Sequence, residues 1–130
     1  MKIQESAENY LETILILSQR QPQVRSIDIA TELGFSKPSV SVAMKNLREN
    51  GYVTVSEHGH ISLTEKGLQI AETIYERHTL LSSWLEYLGV DSEIAVQDAC
   101  RIEHVISPES FQAIKTHVAM GKNNTQKQKE

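Results

Sequence analysis

A chain of 130 residues, 39% hydrophobic and 5% aromatic, is long enough for one sizeable core, or for two small helical modules sharing one. No apolar run approaches the roughly 20 residues of a membrane span, and Met1-Lys2-Ile3-Gln4-Glu5-Ser6 lacks the apolar core of a secretory signal. The single cysteine excludes an internal disulfide and points to a reducing cytoplasm, while a net charge of −4 leaves any nucleic-acid binding to local rather than global charge.

The first predicted helix runs from Ser6 to Arg20, with Ser6 placed to cap it and Ala7, Leu11, Ile14, Leu15 and Leu17 on a broad apolar face. Its other side is acidic. Glu8 and Glu12 repel one another one turn apart unless something positive lies near, and a solvated acidic face is the simplest account. Gln21-Pro22-Gln23 breaks the helix.

A short helix follows from Ser26 to Leu33, capped by Ser26 and ended by Gly34. After the Phe35-Ser36 turn, a second helix is predicted from Lys37 to Arg48, with Pro38 in its first turn. Val40, Ala43, Met44 and Leu47 face inward; Ser36, Lys37, Ser39, Ser41, Lys45 and Arg48 face out. This is the pattern of a helix-turn-helix, although an ordinary helical hairpin shares its periodicity. Small hydroxyls let a backbone approach the major groove, and amides at a helix amino terminus favour phosphate. The candidate DNA contacts are Arg25, Ser36, Lys37, Pro38, Ser39, Ser41, Lys45 and Arg48. Of these, Lys45 and Arg48 suit phosphate, whereas Pro38, Ser39 and Ser41 suit bases. Between residues 21 and 60 the basic Arg25, Lys37, Lys45 and Arg48 are balanced by Asp28, Glu32, Glu49 and Glu57. Binding must therefore lean on amides, hydroxyls and dimer geometry as well as charge.

Tyr52 to Ser56 and Ile61-Ser62-Leu63 predict two short strands joined by Glu57-His58-Gly59-His60, a wing after the second helix. His58 and His60, at an exposed tip, suit solvent or phosphate better than a metal pair. Thr64 caps a long helix to about Leu88, whose stripe is Ala71, Ile74, Tyr75, His78, Leu81, Leu85 and Leu88. His78 interrupts this apolar face and needs a partner, either an ordinary core contact or a shared metal.

Asp91 caps the next helix, which carries Cys100-Arg101-Ile102-Glu103-His104. The spacing i, i+3, i+4 puts Cys100, Glu103 and His104 on one face. A thiolate, a carboxylate and an imidazole there can converge on a divalent transition metal. The plainer reading is a buried cysteine beside two exposed polar residues. Ser107 and Pro108 begin a final helix with Phe111, Ile114 and Val118 on one face, and the polar tail from Gly121 is predicted to be disordered. The apolar surface of Trp84, Leu85, Leu88, Val96 and this final helix exceeds what one small helical cap can hide, which predicts a two-fold dimer.

Four segments carry a specific likeness: Ser36-Lys37-Pro38-Ser39-Val40-Ser41, Leu63-Thr64-Glu65-Lys66-Gly67, Arg77-His78, and Cys100 to Ser107. Together they resemble the metal-dependent transcriptional repressors typified by the diphtheria toxin repressor and the manganese transport regulator, from about Ser6 to His117. The resemblance implies a mostly α fold: a winged helix with a two-stranded wing over 1–66, a linking helix and helical metal-binding and dimerisation domain over 67–120, and a tail over 121–130. It implies a cytoplasmic homodimer that binds a palindromic double-stranded DNA operator and represses metal-uptake genes when Fe(II) or Mn(II) is plentiful. No membrane and no small-molecule substrate are expected.

The implied metal ligands are Asn9, Glu12, His78, Cys100, Glu103 and His104. The manganese branch has aspartate at the position of Asn9 and glutamate at that of Cys100, whereas the iron branch has cysteine at the latter; Glu12 matches the manganese branch. Thiolate favours Fe(II), Co(II), Ni(II) or Zn(II) over Mn(II), so Fe(II) is expected, with Mn(II) weaker. The iron branch's ancillary site would use His78, but its other positions fall on Ser82 and Val96, so that site is expected to be absent or rebuilt. The third, SH3-like domain of longer members is also expected to be missing. The competing function is a metal-independent or redox-sensing winged-helix regulator using Cys100. Enzymatic activity is not expected, because the same few ligands leave no separate general base or open cleft.

Overall fold

The computed structural model describes residues 5–129, with side chains to residue 121. The stretch Met1 to Gln4, read above for a leader, and Glu130 lie outside the described residues. The elements in order are α1 (Glu5–Arg20), α2 (Ser26–Leu33), α3 (Lys37–Glu49), β1 (Val53–Val55), β2 (Ile61–Leu63), α4 (Glu65–Tyr87), α5 (Ser92–Val105) and α6 (Pro108–Lys129). They form two compact units that divide within α4, between Tyr75 and Glu76.

In the first unit, α1, α2 and α3 surround a core of Leu11, Ile14, Ile29, Val40, Met44 and Leu47, closed by Val53, Ile61 and Ala71. Tyr10 also lies in this core, edge-on to Phe35 with ring centroids 5.9 Å apart. Burial pushes its phenol above the ordinary value of 10.0. The neutral form is thus favoured in the folded state, and its contribution is complete below pH 10 and falls as pH rises further.

Local chemistry explains the helix ends. Gly34, at φ 70°, ends α2 in the left-handed conformation that glycine adopts without strain. At the other end the cap is Arg25 rather than Ser26. The Arg25 backbone is extended, and its N–H donates to the Asp28 carboxylate at 2.9 Å, so Ser26 falls inside the first turn. Ser36 caps α3, accepting from the Ser39 N–H at 3.3 Å.

β1 and β2 pair antiparallel, Val53 with Leu63, Thr54 with Ser62 and Val55 with Ile61. The Ile61 N–H also donates to the Val24 carbonyl at 2.7 Å, which anchors this wing to the segment before α2. Tyr52 and Ser56, predicted as strand, lie outside the ladder. The Tyr52 carbonyl instead accepts from the Thr64 N–H at 3.0 Å, and the Thr64 hydroxyl donates to the Gly51 carbonyl at 2.6 Å and accepts from the Gly67 N–H at 3.2 Å. The start of α4 therefore rests directly on backbone leaving α3.

The second unit is smaller. Leu81, Ala99 and Phe111 are its buried cluster, with Leu80, Trp84, Ile102, Ile106 and Ile114 packed around them. Asp91 caps α5 by accepting from the Glu93 N–H at 3.1 Å. One expectation is corrected. Leu88 is not on the inner stripe: α4 stops at Tyr87, and Leu88 is 59% exposed in the turn that Gly89 completes. The backbone of α6 runs on to Lys129.

Gly67 gives the fold a specific test. A Cβ there would overlap the Tyr52 carbonyl oxygen, and that oxygen is backbone. Gly67→Ala should cost about 3 kcal/mol, measured as a lowered urea midpoint. An unchanged midpoint would mean that α4 does not press on the Tyr52 peptide.

Candidate functional site

Three predicted ligands meet in the second unit. His78 comes from α4, Cys100 and Glu103 from α5, and their donor atoms all lie within 4.8 Å of one another. His78 Nδ1 is 2.8 Å from Glu103 Oε2 and 3.8 Å from Cys100 Sγ. His104 Nε2 lies 3.4 Å from the other carboxylate oxygen, Glu103 Oε1. The plainer reading of this helix is reversed at every position. Cys100 is exposed, Glu103 is fully buried, and the His104 side chain is only 4% exposed. The i, i+3, i+4 face therefore points a carboxylate into the interior of the unit and leaves the thiol at its edge.

A buried carboxylate needs compensation. With Nδ1 protonated, His78 donates to Glu103 Oε2, whereas Oε1 makes no hydrogen bond among the described residues even though His104 is close. A buried acceptor left without a hydrogen bond costs about 1–3 kcal/mol. Donors that share one divalent ion at about 2.0–2.3 Å stand about 3–4 Å apart, and this cluster, with separations of 2.8 and 3.8 Å from His78 and none beyond 4.8 Å, needs only small side-chain adjustments to reach that spacing. The residues present thus fit a divalent transition metal: a soft thiol, an imidazole, and a carboxylate with an oxygen to spare.

The other predicted ligands belong to the first unit. Glu12 is buried at 6% exposure on α1, so the acidic face of that helix is not simply solvated. Asn9 is half-buried, and its carbonyl accepts from the Thr13 hydroxyl at 2.8 Å. As for the ancillary positions, the Ser82 hydroxyl donates to the His78 carbonyl at 2.8 Å and Val96 offers no donor atom. Among the described residues, His78, Cys100 and Glu103 are the one group with metal-ligand spacing.

The candidate nucleic-acid face lies on α3. Lys37, Pro38, Ser39, Ser41, Lys45 and Arg48 are all exposed. Ser36 is exposed as well, but its hydroxyl is engaged in the cap and donates to Ser39 Oγ at 2.8 Å. Arg25 is tied to the wing, its guanidinium 3.2 Å from His60 Nε2. Val42, 60% exposed in the middle of the same outward stripe, was missed. A count of helical phase alone finds it, since Pro38, Val42, Lys45 and Glu49 share one face.

Comparison with known proteins agrees with this division. Residues 2–61 match the family described as iron dependent repressor, N-terminal DNA binding domain, and residues 64–129 match iron dependent repressor, metal binding and dimerisation domain. An HTH-type transcriptional regulator of Methanocaldococcus jannaschii is 33% identical over 113 residues, covering 85% of this chain and 90% of its own length. The transcriptional regulator MntR of Escherichia coli O6:H1 is 33% identical over 111 residues, covering 85% of this chain and 72% of its own. Among solved structures, that of the manganese regulator SloR superposes with a TM-score of 0.77 at 26% identity over 92% of this chain. The chain spans about half the length of that structure, 55%. Among the described residues, no helix is long and apolar enough to cross a membrane. Since one family's paired domains account for both halves of the chain, the protein belongs to the iron-dependent repressors, a family of metal-dependent transcriptional regulators rather than enzymes.

Proposed function

We propose that the protein is a metal-activated repressor which, as a homodimer, binds a palindromic operator and controls genes for metal uptake. The division of labour is a winged-helix half over 1–66 and a metal-binding and dimerisation half over 67–120. The observation that carries the reading is the meeting of His78, Cys100 and Glu103, with Glu103 fully buried. His104, beside the second oxygen of Glu103, is proposed as a further ligand. Asn9 and Glu12 enter the ligand set through the resemblance alone.

A bound divalent cation would supply positive charge shared by a buried carboxylate and a thiolate. The chain's residues do the rest. Glu103 presents one oxygen to His78 and the other toward His104, and Cys100 brings its sulfur to the exposed edge of the group. Each ligand helix thereby gains a shared constraint, and the conformation competent for DNA is favoured by differential binding.

The relatives named for manganese, MntR and SloR, support a divalent metal of this class. For this chain we propose Fe(II) ahead of Mn(II). The reason is Cys100, whose sulfur suits Fe(II), and Asn9, which offers no carboxylate for Mn(II). The same thiol should make activation sensitive to air.

On DNA, Lys45 and Arg48 are proposed as phosphate contacts, with Pro38, Ser39 and Ser41 toward the bases. Arg25, Ser36 and Lys37 approach the backbone at the helix ends. Val42 suits the methyl group of a thymine.

Three outcomes follow. Arg48→Glu should weaken operator binding roughly 10–100-fold at low salt and reduce the slope of log affinity against log salt by about two, one contact per half-site. Unchanged binding in a filter or anisotropy assay would remove Arg48 from the interface. The second unit has few buried side chains and leaves Tyr87, Leu88, Ile94 and Val105 exposed, so sedimentation should report a dimer at micromolar concentration. A monomer with and without metal would overturn the assembly. Last, anaerobic titration with operator binding as readout should show half-activation at lower free Fe(II) than Mn(II), and Cys100→Glu with Asn9→Asp should reverse that order. If the parent already answers to Mn(II) at the lower concentration, the thiol does not set selectivity.

A further inference from the structure

Immediately before His78 on α4 stands Arg77, a cation that neither the DNA face nor the ligand set uses. One of its terminal nitrogens, Nη1, donates to two backbone carbonyls, those of Glu103 and Ile106, each at 3.0 Å. The guanidinium carbon lies 5.6 Å from the centroid of the Phe111 ring on α6, and Nε has no hydrogen-bond partner among the described residues. These contacts are half-buried rather than solvated.

The end of a helix exposes carbonyls that the helix cannot satisfy and carries partial negative charge, so an arginine there is favourable for two reasons. An ordinary cap would stop at that. Here one of the two carbonyls belongs to Glu103, the residue whose carboxylate faces His78. Two adjacent residues of α4 therefore hold one residue of α5 at two points: Arg77 at the backbone and His78 at the side chain. The second carbonyl, from Ile106, is the residue that closes α5, and Phe111 begins the packed face of α6.

We infer that Arg77 is the positioning residue of the metal cluster, fixing the last turn of α5 so that the Glu103 carboxylate stays within reach of His78 and Cys100. The inference rests on the metal reading given above. Arg77 touches no metal; it acts through the Glu103 backbone. Without the two hydrogen bonds, α5 is still held by Ala99, Ile102 and Ile106 in the small core, but its last turn loses the tie to α4 that fixes the Glu103 backbone. Outer contacts of this kind typically change metal affinity by about 10–100-fold.

The experiment uses the full chain under reducing, anaerobic conditions, with Co(II) as the probe. Thiolate coordination is read from the charge-transfer absorption, ligand geometry from the visible bands, and folding from circular dichroism and thermal melting. Arg77→Met keeps the aliphatic stem and removes the donors; Arg77→Lys restores the charge and one donor. The parent should show the thiolate band. Arg77→Met should stay folded, bind Co(II) about 10–100-fold more weakly and show altered visible bands, and Arg77→Lys should recover part of both.

Equal affinity and identical spectra in parent and Arg77→Met would overturn the role of Arg77 while leaving the metal site standing. A weakened affinity with the parental spectrum and no recovery in Arg77→Lys would also overturn it, because that is the result of general destabilisation. A parent without any thiolate band would sink the metal reading, and this inference with it. If Arg77→Met does not fold, Arg77→Gln takes its place and is read by the same criteria against parent and Arg77→Lys.

Discussion

A carboxylate removed from water is the constraint around which the second unit is arranged. Glu103 has no exposed surface, and removing a charged group from water without compensation costs several kcal/mol, roughly. Everything within reach of it is the kind of group that offsets such a cost. His78 stands at hydrogen-bond distance from one oxygen, His104 lies beside the other, and Arg77 grips the backbone of the same residue. An apolar side chain at 103 would fill this volume more simply. Retaining a buried acid with an oxygen that makes no hydrogen bond is intelligible when a cation is its intended partner.

The first unit answers to a different constraint, the short distances between consecutive backbone segments. The helix-turn-helix depends on Gly34 leaving α2 in the left-handed conformation and on Ser36 restarting the chain as α3. The wing is held from both sides, by Val24 before α2 and by the Tyr52 to Thr64 junction after α3. Gly67 belongs to that junction rather than to any turn, and its lack of a side chain lets α4 start against a peptide group. The result is a frame presenting an outward face of hydroxyls, three cations and one valine. With charges in balance across this segment, the proposed recognition leans more on shape and backbone donors than it would in a strongly basic domain.

The proposed donor set mixes soft and hard groups. A soft sulfur at Cys100, beside a buried carboxylate and two histidines, is a mixed environment that hard oxygen-preferring ions do not need. The two halves of the chain match two domains of a single family, while longer structures of that fold extend well beyond it.

Much of this was legible in the amino-acid order. Helical periodicity located α1 to α6, because apolar spacing is a local property that survives without knowledge of neighbours. Gly34, Ser36, Thr64 and Asp91 marked element ends because capping is chemistry within a few residues. The i, i+3, i+4 spacing placed Cys100, Glu103 and His104 on one face by geometry alone. What that spacing does not contain is which way the face turns, and the structure buried the glutamate while exposing the cysteine. The joining of His78 to Cys100 and Glu103 spans more than twenty residues of sequence and depends on how α4 packs against α5. Arg77 and Val42 were given no role of their own from the sequence, and only the packing of the helices reveals that the arginine holds a carbonyl inward while the valine stands outside.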